Sequence, residues 1–151
     1  MQLVWTGRRN ASSTGTYIDV DGVSVDSTSD DSSAAFAFSG AWTRYANAAD
    51  HGGTHNTANS SGSTATISFD GTRAKVIAVK GHNLGIAQVK VDGTVVGTVD
   101  FYSPSYSYRT VVFDTGVLPA GSHTVQLVWT GRRNASSTGT YIDVDGVTVT
   151  P

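Results

Sequence analysis

Apolar and polar residues alternate with a period of two along most of the chain. In IAQVKV, residues 86–91, Ala87, Val89 and Val91 fall on one face and Gln88 and Lys90 on the other. In TYIDVD, residues 140–145, Ile142 and Val144 oppose Tyr141, Asp143 and Asp145. Successive side chains of an extended chain point to opposite faces, so the pattern predicts strands with one buried and one wet face. Further runs of this kind are AAFAFSG (34–40), AWTRYA (41–46), STATISF (63–69), AKVIAVK (74–80), TVVGTVDF (94–101), YRTVVF (108–113) and SHTVQLVWT (122–130), and the last run extends to residue 149. Val76, Ile77, Ala78 and Val79 do not alternate, which predicts a central strand covered on both faces. About nine short strands, punctuated by Gly, Asp, Asn and Ser, predict an all-β fold: an antiparallel β-sandwich of jelly-roll type.

One stretch occurs twice. Residues 2–25, QLVWTGRRNASSTGTYIDVDGVSV, match residues 126–149 at 23 of 24 positions, with Ser24 against Thr148 the one difference, at an offset of 124 residues. Solenoid repeats run about 20 to 50 residues, so this period is that of a whole domain. The expected organisation is a surplus hairpin over residues 1–25, a linker over 26–33 and the jelly-roll domain over 34–151. DSTSDDSS, the linker, has three Asp among Ser and Thr and no apolar residue, which predicts an exposed, mobile tether. The C-terminal copy enters on a complete strand from Ser122, whereas only Met1 precedes Gln2, so the C-terminal copy should occupy the sandwich. The surplus hairpin is then available for self-association through an exposed strand edge.

Composition narrows the function classes. All 12 acidic residues are Asp, and the chain has 17 Gly, 3 Lys and no Glu, so turn formers are abundant and good helix formers scarce. A net charge of −2 gives no electrostatic case for nucleic acid or an anionic membrane. No Cys is present, which excludes disulfides and thiolate metal sites. No apolar run is long enough to span a membrane. The Ser-, Thr-, Asn- and Gly-rich surface suits a secreted or cell-surface protein.

Loop parity locates the candidate chemistry. If each connection reverses direction, alternate loops share one end of a sandwich. The long loop 47–62 is then grouped with loops 81–85, 102–107 and 131–139. The other end receives tight-turn sequences at 70–72, 92–94 and 116–121, with His123 beside them. The loop-rich end collects His51, His55, His82, Asn83, Tyr102, Tyr106, Arg132, Arg133 and Asn134, with Tyr108, Arg109, Trp129 and Tyr141 at adjoining strand tips. Aromatic rings beside Asn, Arg and His suit a pyranose, whose C–H face packs on a ring and whose hydroxyls need planar donors and acceptors. A polysaccharide or glycan is the partner this implies, and a solvated loop cluster with a structural or adhesive role is the alternative.

The runs FSGAWTRYANAADHGGTHNTANSSGSTATISFDG, KGHNLGIAQVKVDGTVVGTVDFYSPSYSY and GVLPAGSHTVQLVWTGRRNASSTGTYIDVDGVTV resemble galactose-binding-like jelly-roll modules appended to bacterial secreted glycoside hydrolases and surface proteins. The resemblance covers roughly residues 34–149 and implies a non-catalytic carbohydrate-binding module. Relatives with a similar last strand often hold a structural calcium, to which Asp143 or Asp145 would correspond. This chain departs from them in lacking Glu, and with it the acidic N-terminal partners, so no metal and no cofactor are expected. Three His in two loops are read as solvated rather than zinc-ligating. Paired carboxylates for glycoside hydrolysis are not in evidence either, because Asp70 and Asp92 lie in turn sequences and Asp143 with Asp145 reads as the polar face of a strand.

Overall fold

The computed structural model describes Val4 and residues 25–151, and the surplus segment 2–25 lies outside this range but for Val4 and Val25. The described residues form twelve strands: β1 (Ser27–Asp30), β2 (Phe36–Ser39), β3 (Trp42–Ala46), β4 (Thr54–Ala58), β5 (Thr64–Gly71), β6 (Arg73–Lys80), β7 (Ile86–Val91), β8 (Thr94–Asp100), β9 (Ser107–Asp114), β10 (Gly121–Arg132), β11 (Ile142–Val144) and β12 (Gly146–Thr150). They make a five-stranded sheet ordered β2-β5-β10-β7-β8, a four-stranded sheet ordered β1-β12-β6-β9 and a small sheet ordered β11-β4-β3. Every ladder between these strands is antiparallel. The all-β sandwich predicted from the alternating runs is the fold observed.

Rows of apolar residues across β5, β10 and β7 build one side of the core. Val125 of β10 pairs with Ile67 on one side and Val91 on the other, and Leu127 with Ala65 and Val89. Ile67, Ala65, Val89, Val125 and Leu127 are fully buried, as the strand period requires when one face meets a second sheet. From the second sheet, β6 contributes Ala74, Val76 and Ala78. Its uninterrupted apolar run has the predicted cause: β6 lies between β12 and β9, and Ile77 and Val79 are buried as well.

Three expectations change. Residues 26–33 are no free tether, because β1 pairs with β12 through Ser27–Val149 to Asp30–Gly146 and Asp31 is buried. Asp and Ser formed a strand here because backbone pairing to β12 replaces the missing apolar side chains, and Thr28 adds a hydroxyl bond to Thr148. The long loop 47–62 contains a 3₁₀ turn (His51–Gly53) and β4, so His55 stands on a strand. The last run is divided into β11 and β12, which lie in different sheets. These additions raise the strand number from the expected nine to twelve.

The end carrying turns 70–72, 92–94 and 115–120 is tightly braced. Asp92 and Gly93, both at positive φ (49° and 79°), join β7 to β8 in the two-residue form that suits a twisted hairpin. His123 bridges Asp92 (2.8 Å) and the Pro119 carbonyl (2.8 Å), and Arg73 grips Asp114 through two hydrogen bonds. Truncating Leu127→Ala should lower unfolding stability by about 2–5 kcal/mol, because a fully buried central residue leaves a cavity. Urea denaturation should show the midpoint falling with its slope unchanged.

Candidate functional site

At the opposite end, an open cleft of about 360 Å³ lies between the small sheet and the β6–β9 edge. Tyr45 of β3, Tyr106 and Tyr108 beside and on β9, and Tyr141 before β11 line it with Asn47, His55, Thr57, Asn83 and Asp143. Tyr45 and Tyr106 are about half exposed, at 49% and 47%. Tyr106 lies over the Gly81 backbone: a Cβ at Gly81 would come within 2.5 Å of its ring. Its hydroxyl donates to Asn83 Oδ1 at 3.1 Å, and its ring meets His82 edge-on with centroids 5.1 Å apart. Tyr45 stacks on His55 across 5.6 Å. One wall of the cleft is thus aromatic and the base is polar.

The structure divides the predicted site residues. His55, Asn83, Tyr106 and Tyr108 line the cleft. His82 touches Tyr106, and Arg109 reaches the Asp50 carbonyl from its positive-φ position (49°) at the cleft's margin. His51 contributes its backbone N–H to Asp145. Tyr102, Arg132, Arg133 and Asn134 are not among the lining residues. Arg132 and Arg133 are exposed, and Arg132 pairs with Ile86 beyond an irregularity in β10. The Tyr102 amide and the Asn134 side chain both bind Asp100, which ties loop 131–139 to β8. Their polar groups hold loops in place. Tyr45, Asn47, Thr57 and Asp143 also line the cleft without having been among the sequence candidates, and Tyr141, expected at an adjoining strand tip, lines it with Asp143 from the same strand face.

That face is not the solvated one expected. Asp143 and Asp145 are 1% and 0% exposed, and Asp31 and Asp50 are equally covered. Asp143 Oδ1 accepts the Val79 amide at 2.6 Å, while Oδ2 has no hydrogen-bond partner among the described residues and lies 3.8 Å from His55 Nε2. The other side of that ring, Nδ1, meets Asp50 Oδ2 at 2.6 Å. Both oxygens of Asp145 accept the His51 amide, and Asp31 takes Thr54 Oγ1 on one oxygen and Asn56 Nδ2 on the other. Burial pushes the Asp143 carboxyl well above the usual carboxylate range, and the Asp145 carboxyl up to about 6.

Asp30 and Asp31 supply the acidic N-terminal neighbours that the missing Glu had seemed to exclude. Three buried carboxylate oxygens of this cluster, on Asp30, Asp50 and Asp143, have no hydrogen-bond partner among the described residues. Among the described residues no three acidic or imidazole groups converge on one point.

Comparisons with known proteins bear on the fold. The chain is 32% identical over 99 residues to an A type blood N-acetyl-alpha-D-galactosamine deacetylase of Flavonifractor plautii, which covers 66% of this chain and 13% of that protein. A family 35 carbohydrate-binding module from Clostridium thermocellum superposes with a TM-score of 0.57 at 19% identity, covering 83% of this chain and 98% of that one. The chain has the fold of a carbohydrate-binding module. A similar domain occurs in the xanthan lyase of Paenibacillus, with a TM-score of 0.55 and 24% identity over 76% of this chain and 12% of the lyase. The chain therefore spans only about an eighth of the length of the deacetylase. No family profile matches the sequence.

The carboxylates set a pH dependence for this module-like domain. Asp143 and Asp145 have raised folded pKa values, so the stabilising contribution of each is complete below about pH 4; that of Asp145 is lost as pH rises through about 6, and that of Asp143 as pH rises toward its own raised value. Asp114, held down to about 2 by its Arg73 hydrogen bonds, acts in reverse and loses its contribution as pH falls toward 2. Stability should be greatest near pH 4 and fall by on the order of 2 kcal/mol as pH rises from there to neutrality, measured by thermal melts across pH. Asp143→Asn should flatten the neutral-side decline. At pH 7, EDTA should leave the melting temperature unchanged, and a fall of several degrees would reveal a cation neutralising these groups in place of protons.

Proposed function

We propose that this domain is a non-catalytic carbohydrate-binding module that takes a terminal or internal hexose unit of a glycan in the cleft beside Tyr106. The observation carrying this reading is the pairing of exposed rings, Tyr45 and Tyr106, with hydroxyl, amide and imidazole groups of Thr57, Asn83 and His55 at the base. A ring gives the C–H face of a sugar a packing surface, and planar polar groups fix its hydroxyls. Hydrolysis is disfavoured because Asp143 is the one carboxylate lining the cleft and is 1% exposed, whereas glycoside cleavage uses two carboxyl groups flanking the bond. The related deacetylase acts on an N-acetylgalactosamine-bearing glycan, which makes such glycans the first to try. Its likeness to modules of polysaccharide-active enzymes also favours a site of action outside the cell, on a polymer delivered to an attached catalytic domain.

A structural or adhesive repeat is the second reading, favoured by the match at 23 of 24 positions between residues 2–25 and 126–149. A glycan array followed by NMR titration separates the two. One open cleft with two or three polar contacts implies a dissociation constant on the order of 0.1 to 1 mM. Signals of Tyr45, Asn83 and Tyr106 should shift, Tyr45→Ala with Tyr106→Ala should weaken binding at least about tenfold, and Tyr102→Ala should leave it unchanged. Absence of any shift across the array would leave the structural repeat as the reading.

A further inference from the structure

The polar floor of the cleft presents acceptors without donors at one point. His55 Nδ1 meets Asp50 Oδ2 at 2.6 Å, and a carboxylate oxygen there places the ring proton on Nδ1, which leaves Nε2 as an acceptor. Asp143 Oδ1 is taken by the Val79 amide, and Oδ2 has no hydrogen-bond partner among the described residues. His55 Nε2 and Asp143 Oδ2 stand 3.8 Å apart, and both residues line the cleft. That separation exceeds a hydrogen bond, yet one ligand nitrogen at about 2.9 Å from each can reach both.

Such a pair chooses its ligand group. A sugar hydroxyl carries a single O–H and satisfies one acceptor, whereas a protonated amine carries three N–H donors and satisfies both. Size acts in the same direction, because Oδ2 is covered as well as unpaired. A primary ammonium is small, while an N-acetyl group would bring a methyl and a further carbonyl acceptor to this place.

Charge agrees with the hydrogen bonds. The lining holds one carboxylate, Asp143, and no Lys or Arg. Arg109 spends a donor on the Asp50 carbonyl, and Arg44 lies beside Asp30 and Asp31. Burial, with the charges of Asp145, Asp50 and Asp31, disfavours the ionised Asp143, and a bound ammonium gives the relief that a proton otherwise gives. Four rings, those of Tyr45, Tyr106, Tyr108 and Tyr141, line the same space. A cation within about 6 Å of an aromatic centroid is attracted to the ring face.

Building on the carbohydrate-binding reading of the cleft, we propose that the sugar unit it holds is a hexosamine with a free amino group, whose ammonium bonds His55 Nε2 and Asp143 Oδ2. Neutral hexoses then bind more weakly at the same rings, and anionic sugars are repelled by the carboxylate at the floor.

The test is an NMR titration of the full chain with the methyl glycosides of glucosamine and galactosamine, their N-acetylated forms, and methyl glucoside and galactoside. At pH 6.5 a sugar amine is protonated, since amino groups beside electron-withdrawing substituents titrate near 7.7–8.0. One of the two free amines should bind at least about tenfold more tightly than its N-acetylated and hydroxyl counterparts, with the advantage shrinking as salt is raised. Equal or tighter binding of the acetylated or neutral sugars overturns the amine assignment and leaves the sugar site standing. If no sugar shifts the signals of Tyr45, Asn83 and Tyr106, both readings fall. Lysine methyl ester is the control for a bare ammonium, and an affinity matching that of the amino sugar overturns the assignment to a sugar. Asp143→Asn retains an oxygen for the Val79 amide and should erase the preference for the amine while changing neutral-sugar affinity less than about twofold. A preference retained in a folded Asp143→Asn protein overturns the proposal. His55→Gln, at a partly exposed side chain, should lower the amine's advantage severalfold and serves if the Asp143 variant does not fold.

Discussion

Between Ile142 and Gly146 the chain leaves the small sheet and joins the four-stranded one, and it makes this passage with every residue buried. Buried backbone at such a crossing must find partners, and two aspartates help to supply them. Asp143 accepts the Val79 amide of β6, and Asp145 accepts the His51 amide of the 3₁₀ turn. The Asp145 backbone bonds Ile77 on one side and Asp31 on the other. Two sheets and the turn before β4 are therefore held by one short segment whose acidic side chains a hydrophobic core would ordinarily reject.

The cleft is a consequence of that crossing. β11 pairs with β4, so Tyr141 and Asp143 come up beside His55 and Thr57, while the Asp143–Val79 bond fixes the distance to β6. Across the gap, Tyr106 rests on Gly81 and is tethered to Asn83. The rings are thus oriented by contacts already made within the protein. A cost remains beneath the surface: four aspartates are covered, with the Arg44 guanidinium 3.8 Å from Asp31 and the His55 ring beside Asp50 and Asp143. Protonation relieves it, which explains why the raised carboxyls belong to the segment that holds the sheets together.

The two ends of the sandwich follow different rules. At one, short Gly- and Asp-containing turns and the paired groups His123–Asp92 and Arg73–Asp114 leave little to rearrange. At the other, longer connections carry the exposed rings.

Strand periodicity determined the sandwich by itself, because the period-two placement of Ile67, Val89 and Leu127 admits one orientation toward a core. The turn at Asp92-Gly93 was equally legible, since only residues tolerant of positive φ fit a two-residue hairpin. His55, Asn83, Tyr106 and Tyr108 were legible as aromatic and polar residues at one end. Asn134 and Tyr102 had the same chemistry, but the sequence did not contain the position of Asp100, which binds both. β1 was invisible for a related reason: Ser27–Asp30 have no apolar face, and their strand exists because β12 offers an unpaired edge. Alternation along β11 correctly opposed Asp143 to Ile142, yet it could say only that the faces differ. Whether the second face met water or another sheet was decided by tertiary structure, because burial depends on what packs there from residues far away in the chain.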